Sequence, residues 1–302
     1  MSANTDTKSL KSSSLVLQKV RDYTQLIKVR LTLTVVFSSV LAFLIAIPGN
    51  IDWMAVLILF LGGFLVTSAA NALNQVLEKD YDRLMSRTAD RPLAAGRMKI
   101  TEAVMAAGVM TLVGITFLAM FNPWTAFLGM VALVSYAFIY TPLKRIAPIA
   151  IFVGAIPGAL PALIGCTAAE GRLTLLGLTL FSLQFFWQFP HFWSIGYLGF
   201  GDYQKAGFRF IPAGEKEDMP DRNIGLQAFF YALLLSAFSV GPWLLGATGL
   251  ISAVFAVVVG LIFVYFAWNF YKQFERKGAL KLMFFSFLYI PLTFIAFYLD
   301  KI

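Results

Sequence analysis

Apolar residues occur in this sequence as long stretches separated by short polar connections. The stretches are 18 or more residues long and lack the alternation of a strand, and an α-helix needs about 20 residues to cross a bilayer. Because the backbone must satisfy its own hydrogen bonds in lipid, these stretches are predicted to be membrane-spanning helices. Nine are predicted, at 31–48, 53–76, 102–121, 124–141, 147–168, 174–198, 226–246, 249–271 and 282–299.

Composition and charge give the predicted helices an orientation. Of the 302 residues, 59% are hydrophobic and only 13% are charged, whereas soluble domains carry about 25% charged residues. With nine spans and the N-terminus inside, 22 of the 24 Lys and Arg residues lie on the cytoplasmic side, and only Arg172 and Lys301 lie outside. Basic residues favour the cytoplasmic side. The fold class predicted is therefore an all-α integral membrane bundle with its N-terminus inside.

The chain is predicted to hold one membrane domain, residues 23–302, after a disordered cytoplasmic tail, residues 1–22. The tail is rich in Ser and Lys and has no apolar core, so it is not a cleavable signal peptide. The basic residues flank the spans instead of forming a soluble patch, which excludes nucleic acid as a partner. A single cysteine, Cys166, excludes an intrachain disulfide, and a single histidine excludes a His-cluster metal site.

The densest charge follows the second predicted span, in "NQVLEKDYDRLMSRTADRPLAAGR" at residues 74–97. If the helix continues into this segment, Asn74, Glu78 and Asp82 lie on one face at i, i+4 and i+8, and Asp80 points elsewhere. Such oxygen-bearing side chains suit Mg²⁺, which prefers one or two carboxylates together with substrate phosphate oxygens. The spacing also leaves open a solvated loop whose charges pair locally and set the topology.

Arginines in the same segment suit a phosphorylated substrate. Arg83, Arg87 and Arg91 are spaced four residues apart and can supply forked donors to phosphate oxygens. Carboxylates and arginines together predict a metal–diphosphate site better than a site for a free metal. The two long charged connections, residues 77–101 and 199–225, leave the membrane on the same side, so polar chemistry is expected to converge at one cytoplasmic mouth of the bundle.

A polar stripe is predicted within the sixth span. In "LQFFWQFPHFW", Gln184, Gln188 and His191 lie at i, i+4 and i+7 of an otherwise apolar helix, which Pro190 can kink. Polar side chains inside a span are expected to face a cavity or the bundle interior. From the residues alone, a core histidine that is hydrogen-bonded to a neighbouring helix is the favoured interpretation of His191.

Three separated motifs resemble those of the UbiA-type intramembrane prenyltransferases, in the form typical of the branch that farnesylates haem b. They are "ALNQVLEKDYDRLMSRTADRPLAAGR", "YTPLKRIAPIAIFVGAIPGALPALIG" from Tyr140, and "FWQFPHFWSIGYLGFGDYQKAG" from Phe186. The resemblance covers most of residues 23 to 300. Two positions depart from it: Val29 stands where a proline is usual, and Gly201 where a second acid often stands, which puts a second protein-held metal in doubt.

The resemblance implies transfer of the farnesyl group of farnesyl diphosphate to the 2-vinyl group of haem b, with addition of water, giving haem O. It implies Mg²⁺ as cofactor and the bacterial cytoplasmic (inner) membrane as location, with haem A synthase or oxidase assembly proteins as candidate partners. The catalytic residues it implies are Asn74, Glu78, Asp82 and His191. The metal ligands it implies are Asn74, Glu78, Asp82 and Asp202. The substrate-binding residues it implies are Lys28, Arg30, Arg87, Arg91, Tyr140, Lys144, Gln188 and Lys205.

The role of His191 stays open between contact with the tetrapyrrole, ligation of its iron and acceptance of a proton. The alternative within the same enzyme class is prenylation of another acceptor, such as an aromatic acid or a chlorin, which Glu78 and the "PHFW" motif argue against. The alternative from another class is a transporter with a cytoplasmic metal gate. Transporters usually place charged sites near the bilayer midplane, whereas these charges cluster at one face.

Overall fold

The structure, a computed structural model, describes residues 3–215 and 217–302, with side chains from Leu15 onward. The first two residues of the predicted tail and Lys216, one of the basic residues used for the topology, lie outside the described residues. Regular structure in the described ranges is helical, apart from two isolated β-bridges. The α-helices are α1 (Ala3–Leu26), α2 (Val29–Ala46), α3 (Trp53–Asp82), α4 (Ile100–Ala119), α5 (Pro123–Val134), α6 (Thr141–Leu143), α7 (Ala150–Glu170), α8 (Leu175–Leu198), α9 (Phe200–Lys205), α10 (Asn223–Phe238), α11 (Gly241–Leu244), α12 (Leu250–Gln273) and α13 (Arg276–Leu299).

Eight helices of the described chain are long and apolar enough to cross a membrane. The remaining predicted span corresponds to α8, whose 24 residues suffice in length but whose mean hydropathy is lowered by Gln184, Gln188 and His191. The last predicted span begins earlier than expected. Helix α13 starts at Arg276, so the basic residues predicted to lie in a connection occupy its first turns.

Helix α3 carries the charged motif away from the hydrocarbon. Asp52 precedes the first residue of α3. Its side chain caps the helix by accepting a hydrogen bond from the Met54 backbone N–H at 2.9 Å. The 30 residues of α3 make it about 45 Å long, whereas the hydrocarbon core of a bilayer is about 30 Å thick. The two ends of α3 cannot both stay in hydrocarbon, and the end that carries Glu78 and Asp82 is the polar one.

Helix α7 lies in the centre of the bundle, where small residues let its neighbours approach closely. A Cβ atom added at Gly165 would lie 2.0 Å from the backbone oxygen of Ser39 on α2, so only glycine permits this contact. At Gly154 the added atom would meet the ring of Tyr140 at 2.5 Å. Without a hydrophobic force between helices in lipid, such close packing is what holds a membrane bundle together.

A π-helical segment, Ser135–Tyr140, joins α5 to α6. The backbone N–H of Thr141 donates to Tyr136 O, and the Thr141 hydroxyl donates to the same oxygen at 2.9 Å. Pro142 follows and has no N–H to continue the ladder. The wider turn shifts the following residues around the helix axis, and Thr141 and Lys144 beyond it contact side chains of α3.

Helix α1 covers most of the residues for which the sequence predicted a disordered tail. Its second half is attached to the bundle, because Lys19 forms an ion pair with Glu102 on α4 at 2.9 Å. The buried Asp22 forms an ion pair with Arg97 at 2.8 Å. The disorder predicted for the tail, residues 1–22, stays a prediction. Its cytoplasmic location and the single domain, residues 23–302, stay predictions.

Candidate active site

One face of the last turns of α3 carries the three predicted metal-binding side chains. Asn74, Glu78 and Asp82 are 1%, 4% and 1% exposed, whereas the side chain of Asp80 is 66% exposed. The helix continues to Asp82, so the predicted placement of the three residues on one face is confirmed. Their roles in catalysis and metal binding stay predictions.

A different cation faces each of these three side chains. The Lys28 ammonium donates to Asn74 Oδ1 at 2.8 Å, and the Lys144 ammonium forms an ion pair with Glu78. Arg91 Nη1 lies 2.8 Å from both oxygens of Asp82. Buried carboxylates are costly unless they are paired, and here the pairing comes from three separate places in the chain: the α1–α2 junction, the end of α6 and the loop at residues 83–99.

The amide of Asn74 is oriented by a hydrogen-bond chain. Thr141 Oγ1 gives its proton to Tyr136 O, so toward Asn74 it can only accept, and Asn74 Nδ2 donates to it at 3.0 Å. This assigns Nδ2 to the Thr141 side and directs Oδ1 toward Lys28. The contribution of Thr141 was not predicted from the sequence, because it lies 67 residues from Asn74.

Lys28 occupies the break between α1 and α2 with a left-handed backbone, φ 49°. The side chain of Gln75 on α3 holds the end of α1 by donating to the carbonyls of Gln25 and Leu26 at 2.8 and 2.9 Å. Burial, together with the neighbouring charge of Arg91, lowers the pKa of the Lys28 ammonium to about 7. An anion bound beside Lys28 would therefore favour the protonated amine.

The two long polar connections meet beside this cluster. Ser86 donates to Asp202 Oδ2 at 2.6 Å, and Arg87 Nη2 donates to the Tyr203 hydroxyl at 3.2 Å. Burial raises the pKa of Tyr203, which keeps its hydroxyl protonated. The expected convergence of the connections after α3 and α8 is confirmed by these contacts, and Asp202 stands at their junction.

The three arginines of the first connection, although spaced four residues apart, have separate contacts. Helix α3 ends at Asp82, and the three side chains beyond it diverge. Arg83 Nε donates to Ala94 O at 2.7 Å, whereas Arg87 reaches Tyr203 and Arg91 returns to Asp82. Their four-residue spacing does not place them on one face, because the turns after Asp82 do not keep the helical periodicity. Arg83 supports the loop instead of facing the cluster.

Aromatic rings cover the basic side of the cluster. The Lys144 ammonium lies 5.0 Å from the ring centre of Tyr140 and 5.4 Å from that of Phe208. Arg209 N donates to the Lys144 carbonyl at 2.9 Å, which ties the loop after α9 to this lysine. Tyr140 and Lys144 are thus brought to the site as predicted, with Phe208 as an addition from the second connection.

Arg30 and Lys205, which were predicted to bind substrate, are not brought into this cluster. Arg30 and Lys205 are exposed, and within residues 15–215 and 217–302 neither forms a hydrogen bond or ion pair with the acids. Their roles stay predictions.

The polar residues of α8 contact two different helices. Gln188 Nε2 donates to Ala155 O on α7 at 2.9 Å and is held against Gly158, where an added Cβ would meet its side-chain oxygen at 2.0 Å. His191 Nδ1 instead lies 2.7 Å from Ser286 Oγ on α13. The interhelical hydrogen bond that the residues alone favoured for His191 is therefore present. Gln188 and His191 keep their functional roles only as predictions.

The donor set of the α3 stripe fits a hard divalent cation bound together with an anion. In the described part of the chain, no group of three or more His, Cys, Asp or Glu side chains is arranged to hold a metal by itself. The stripe offers two carboxylates and one amide oxygen, and the three cations beside it match the charge of an anionic ligand. Mg²⁺ is commonly bound in this way, with phosphate oxygens and water completing its shell.

The fold and the site together are those of an integral membrane helix bundle with buried acids and bases at one polar end. A sequence model of the UbiA prenyltransferase family matches residues 35–289, and the chain belongs to this family. It is 40% identical to the protoheme IX farnesyltransferase of Cytophaga hutchinsonii, over 93% of this chain and 97% of the relative. It is also 40% identical to that of Flavobacterium johnsoniae, over 100% and 99%.

Solved structures share the fold. A structure described as digeranylgeranylglyceryl phosphate synthase superposes with a TM-score of 0.77 at 19% identity, covering 94% of this chain and 98% of that one. A UbiA homologue from Archaeoglobus fulgidus, bound to GPP and Mg²⁺, superposes with a TM-score of 0.67 at 15% identity, covering 91% and 99%. These likenesses confirm the all-helical, multi-pass membrane fold that the sequence predicted.

Proposed function

We propose that this protein transfers the farnesyl group of farnesyl diphosphate to the 2-vinyl group of haem b, with addition of water, to give haem O. The family and the protoheme IX farnesyltransferases that are 40% identical over most of the chain support this reaction and its acceptor. The observation that carries the chemistry is the α3 stripe, in which each of three oxygen-bearing side chains faces its own cation. The negative charge of a prenyl diphosphate would match the three cations, and the positive charge of its metal would match the carboxylates.

The α3 stripe binds and activates farnesyl diphosphate, the donor of the farnesyl group. Asn74, Glu78 and Asp82 would hold Mg²⁺, which when bound neutralises charge on the departing diphosphate. Lys28, Lys144 and Arg91 are then available to donate to phosphate oxygens instead of to the stripe. Arg87 at the junction of the two connections adds a further donor, and Asp202 is the second acidic position. The Archaeoglobus fulgidus homologue is described as bound to GPP and Mg²⁺, which supports Mg²⁺ with a prenyl diphosphate as the ligands proposed for this site.

The bond changes follow from the substrates. The bond between farnesyl C1 and the diphosphate oxygen breaks, and the diphosphate keeps the electron pair. The π-electrons of the haem vinyl group form the new bond to C1, and the cation that results on the vinyl group takes up water and releases a proton. The ring of Tyr140 beside Lys144 gives the allylic cation an electron-rich face, and the surrounding bundle keeps bulk water away from it.

His191 serves the acceptor half, either by ligating the haem iron or by accepting the released proton. Imidazole suits both roles near neutral pH. The residue is 9% exposed and lies among aromatic rings, a setting that suits a flat apolar ligand.

The topology belongs to the same proposal. The chain is proposed to have nine spans, the ninth being α8, which is less apolar than the other eight. Its N-terminus and the charged end of α3 are proposed to face the cytoplasm. The positive-inside distribution of Lys and Arg supports this orientation. The bacterial relatives support a location in the bacterial cytoplasmic membrane. Haem A synthase or oxidase assembly proteins are the partners proposed for the product.

Expression in a host that lacks its own haem-farnesylating enzyme tests the reaction. Mass spectrometry of the extracted haems is expected to find haem b increased by the mass of one farnesyl group and one water. Unmodified haem b as the sole haem, with the protein folded in the membrane, would contradict the proposal. A farnesyl adduct on a quinone precursor or a chlorin in the same extracts would identify the alternative acceptor class.

A further inference from the structure

One residue of α13 holds two neighbouring aromatic side chains of α8. Ser286 is fully buried, and its hydroxyl oxygen lies 2.7 Å from His191 Nδ1. Its backbone oxygen accepts a hydrogen bond from Trp187 Nε1 at 2.7 Å. The Trp187 ring stacks on the imidazole, with ring centres 4.8 Å apart and planes inclined by 16°. His191 is thus fixed at one nitrogen and along one ring face by groups that Ser286 positions.

The hydroxyl proton of Ser286 determines which nitrogen of His191 carries a proton. Ser286 Oγ lies 2.5 Å from Met283 O, one turn earlier on the same helix. A carbonyl oxygen carries no proton, so the serine hydroxyl must donate to it, and a hydroxyl has only one proton to give. The contact between Ser286 and His191 Nδ1 is a hydrogen bond only if Nδ1–H is the donor.

A neutral imidazole has one N–H, so a proton on Nδ1 leaves Nε2 with a free lone pair. The alternative tautomer would point the bare Nδ1 at a serine oxygen whose proton is already engaged with Met283. Two lone pairs would then face each other over 2.7 Å, a distance that leaves no room for a water between them. The surroundings therefore select the tautomer with the proton on Nδ1.

We propose that Ser286 is a positioning residue that holds His191 as the Nδ1–H tautomer and presents Nε2 to the acceptor substrate as an unprotonated nitrogen. The tautomer follows from the contacts alone, whereas its use rests on the proposed function. Nε2 in this state can ligate the iron of a tetrapyrrole or take up the proton that is released when water adds. Histidine ligands commonly have their second nitrogen fixed by such a hydrogen bond.

The single histidine of the chain makes the tautomer directly measurable. A protein labelled with ¹⁵N-histidine and purified without a histidine tag gives ¹⁵N NMR signals from this one ring, without any haem. The wild type is expected to show a directly bonded proton on Nδ1 and a bare, pyridine-type Nε2. In Ser286→Ala a signal from protonated Nε2 is expected to appear, and Ser286→Thr, which keeps the hydroxyl, should retain the wild-type signals.

Thr293 provides a matched control on the same helix. It is buried, and its hydroxyl donates to a backbone oxygen one turn earlier, that of Tyr289, at 2.8 Å. Thr293→Val thus removes a similar buried hydroxyl that does not touch the imidazole, and the histidine signals should stay unchanged. A proton on Nε2 in the wild type, or an unchanged tautomer in folded Ser286→Ala, would overturn the inference.

Turnover separates this inference from the proposed function. Ser286→Ala is expected to form haem O several-fold more slowly, with unchanged affinity for farnesyl diphosphate, and Ser286→Thr should restore the rate. A shifted tautomer in Ser286→Ala with a wild-type rate would overturn the role of Ser286 in the reaction. If the wild type formed no haem O while the ¹⁵N signals matched expectation, the proposed function would fail and the tautomer assignment would stand.

Discussion

The charged end of α3 differs in chemistry from the aromatic residues around His191 between α8 and α13, here called the aromatic seam. At the end of α3, three oxygen-bearing side chains and three cations lie together, and two of the three pairs, Lys28 with Asn74 and Lys144 with Glu78, join distant parts of the chain. At the seam, His191 lies among Trp187, Phe192 and Phe287, with Ser286 as its polar partner. The first region suits a departing diphosphate, whose charge must be neutralised, and the second suits the flat face of a tetrapyrrole ring.

The difference also concerns how firmly the groups are held. Lys28, Lys144 and Arg91 have long side chains that can exchange a carboxylate or amide partner for a phosphate oxygen. His191 is short and is fixed through Ser286 and Trp187. On the proposed roles, the side chains at the end of α3 can change partners when a diphosphate binds. The imidazole at the aromatic seam already has a fixed orientation before haem binds.

The largest effect is expected when the α3 stripe loses its charge. Glu78→Gln and Asp82→Asn should each lower haem O formation by about 1000-fold, which corresponds to about 4 kcal/mol of transition-state stabilisation. The reason is that a neutral amide binds Mg²⁺ and balances its charge less well than a carboxylate. Turnover of purified enzyme measures the loss, and chelation by EDTA should abolish wild-type activity until Mg²⁺ is restored.

Asp80→Asn is the matched control for these variants, because Asp80 lies on the same turns of α3 but is exposed. It should keep wild-type turnover. Equal losses in Asp80→Asn and Asp82→Asn would show that the stripe has no special role, as would full activity in EDTA.

Removal of the imidazole is expected to have the next largest effect. His191→Ala should reduce haem O formation by about 100-fold, the size typical of a lost proton-transfer group, while farnesyl diphosphate still binds. Haem absorption distinguishes the two roles. Loss of an iron ligand shifts the Soret band of bound haem, whereas loss of a base leaves the band in place and changes the pH–rate profile. A wild-type rate would remove His191 from the reaction.

The arginines of the first connection should contribute less each. Arg87→Ala or Arg91→Ala is expected to weaken farnesyl diphosphate binding by about 1.5–3 kcal/mol, about 10- to 150-fold, since a charge-assisted hydrogen bond is lost. Titration calorimetry measures this affinity. Lys79→Ala removes a cation from the same region that lies near Asp80 at 3.9 Å, and it should bind normally. Unchanged affinity in both arginine variants would leave these residues with a topological role.

The smallest effect is expected at the support of Asn74. Thr141→Val keeps the shape of the side chain but removes the acceptor of the Asn74 amide, which should cost about 0.5–1.5 kcal/mol, about two- to tenfold in turnover. Thr141→Ser keeps a hydroxyl and should recover most of the rate. An identical loss in both variants would point to packing as the cause.

The sequence predicted what depends on local periodicity. Asn74, Glu78 and Asp82 could be placed on one face because a single helix spaces them, and apolar stretches of the right length gave the membrane helices. The partners could not be predicted, since Lys28 is 46 residues from Asn74, Asp202 is 116 from Ser86, and Ser286 is 95 from His191. The separate contacts of the arginines could not be predicted for a related reason, because the turns that follow Asp82 depend on loop contacts such as Arg83 with Ala94.

A crossed binding experiment on Asp82→Asn and His191→Ala tests most directly whether the diphosphate and haem b bind at separate regions. Affinities for farnesyl diphosphate with Mg²⁺ and for haem b are determined on both variants and on the wild type, in the same detergent. The account predicts that Asp82→Asn binds the diphosphate weakly and haem normally. His191→Ala should bind the diphosphate normally. Its bound haem should show a shifted Soret band if His191 ligates the iron, and an unchanged band with a changed pH–rate profile if His191 accepts the proton. If both variants lost affinity for both ligands equally while remaining folded, or if the pattern were reversed, the division into a donor end and an acceptor seam would be contradicted.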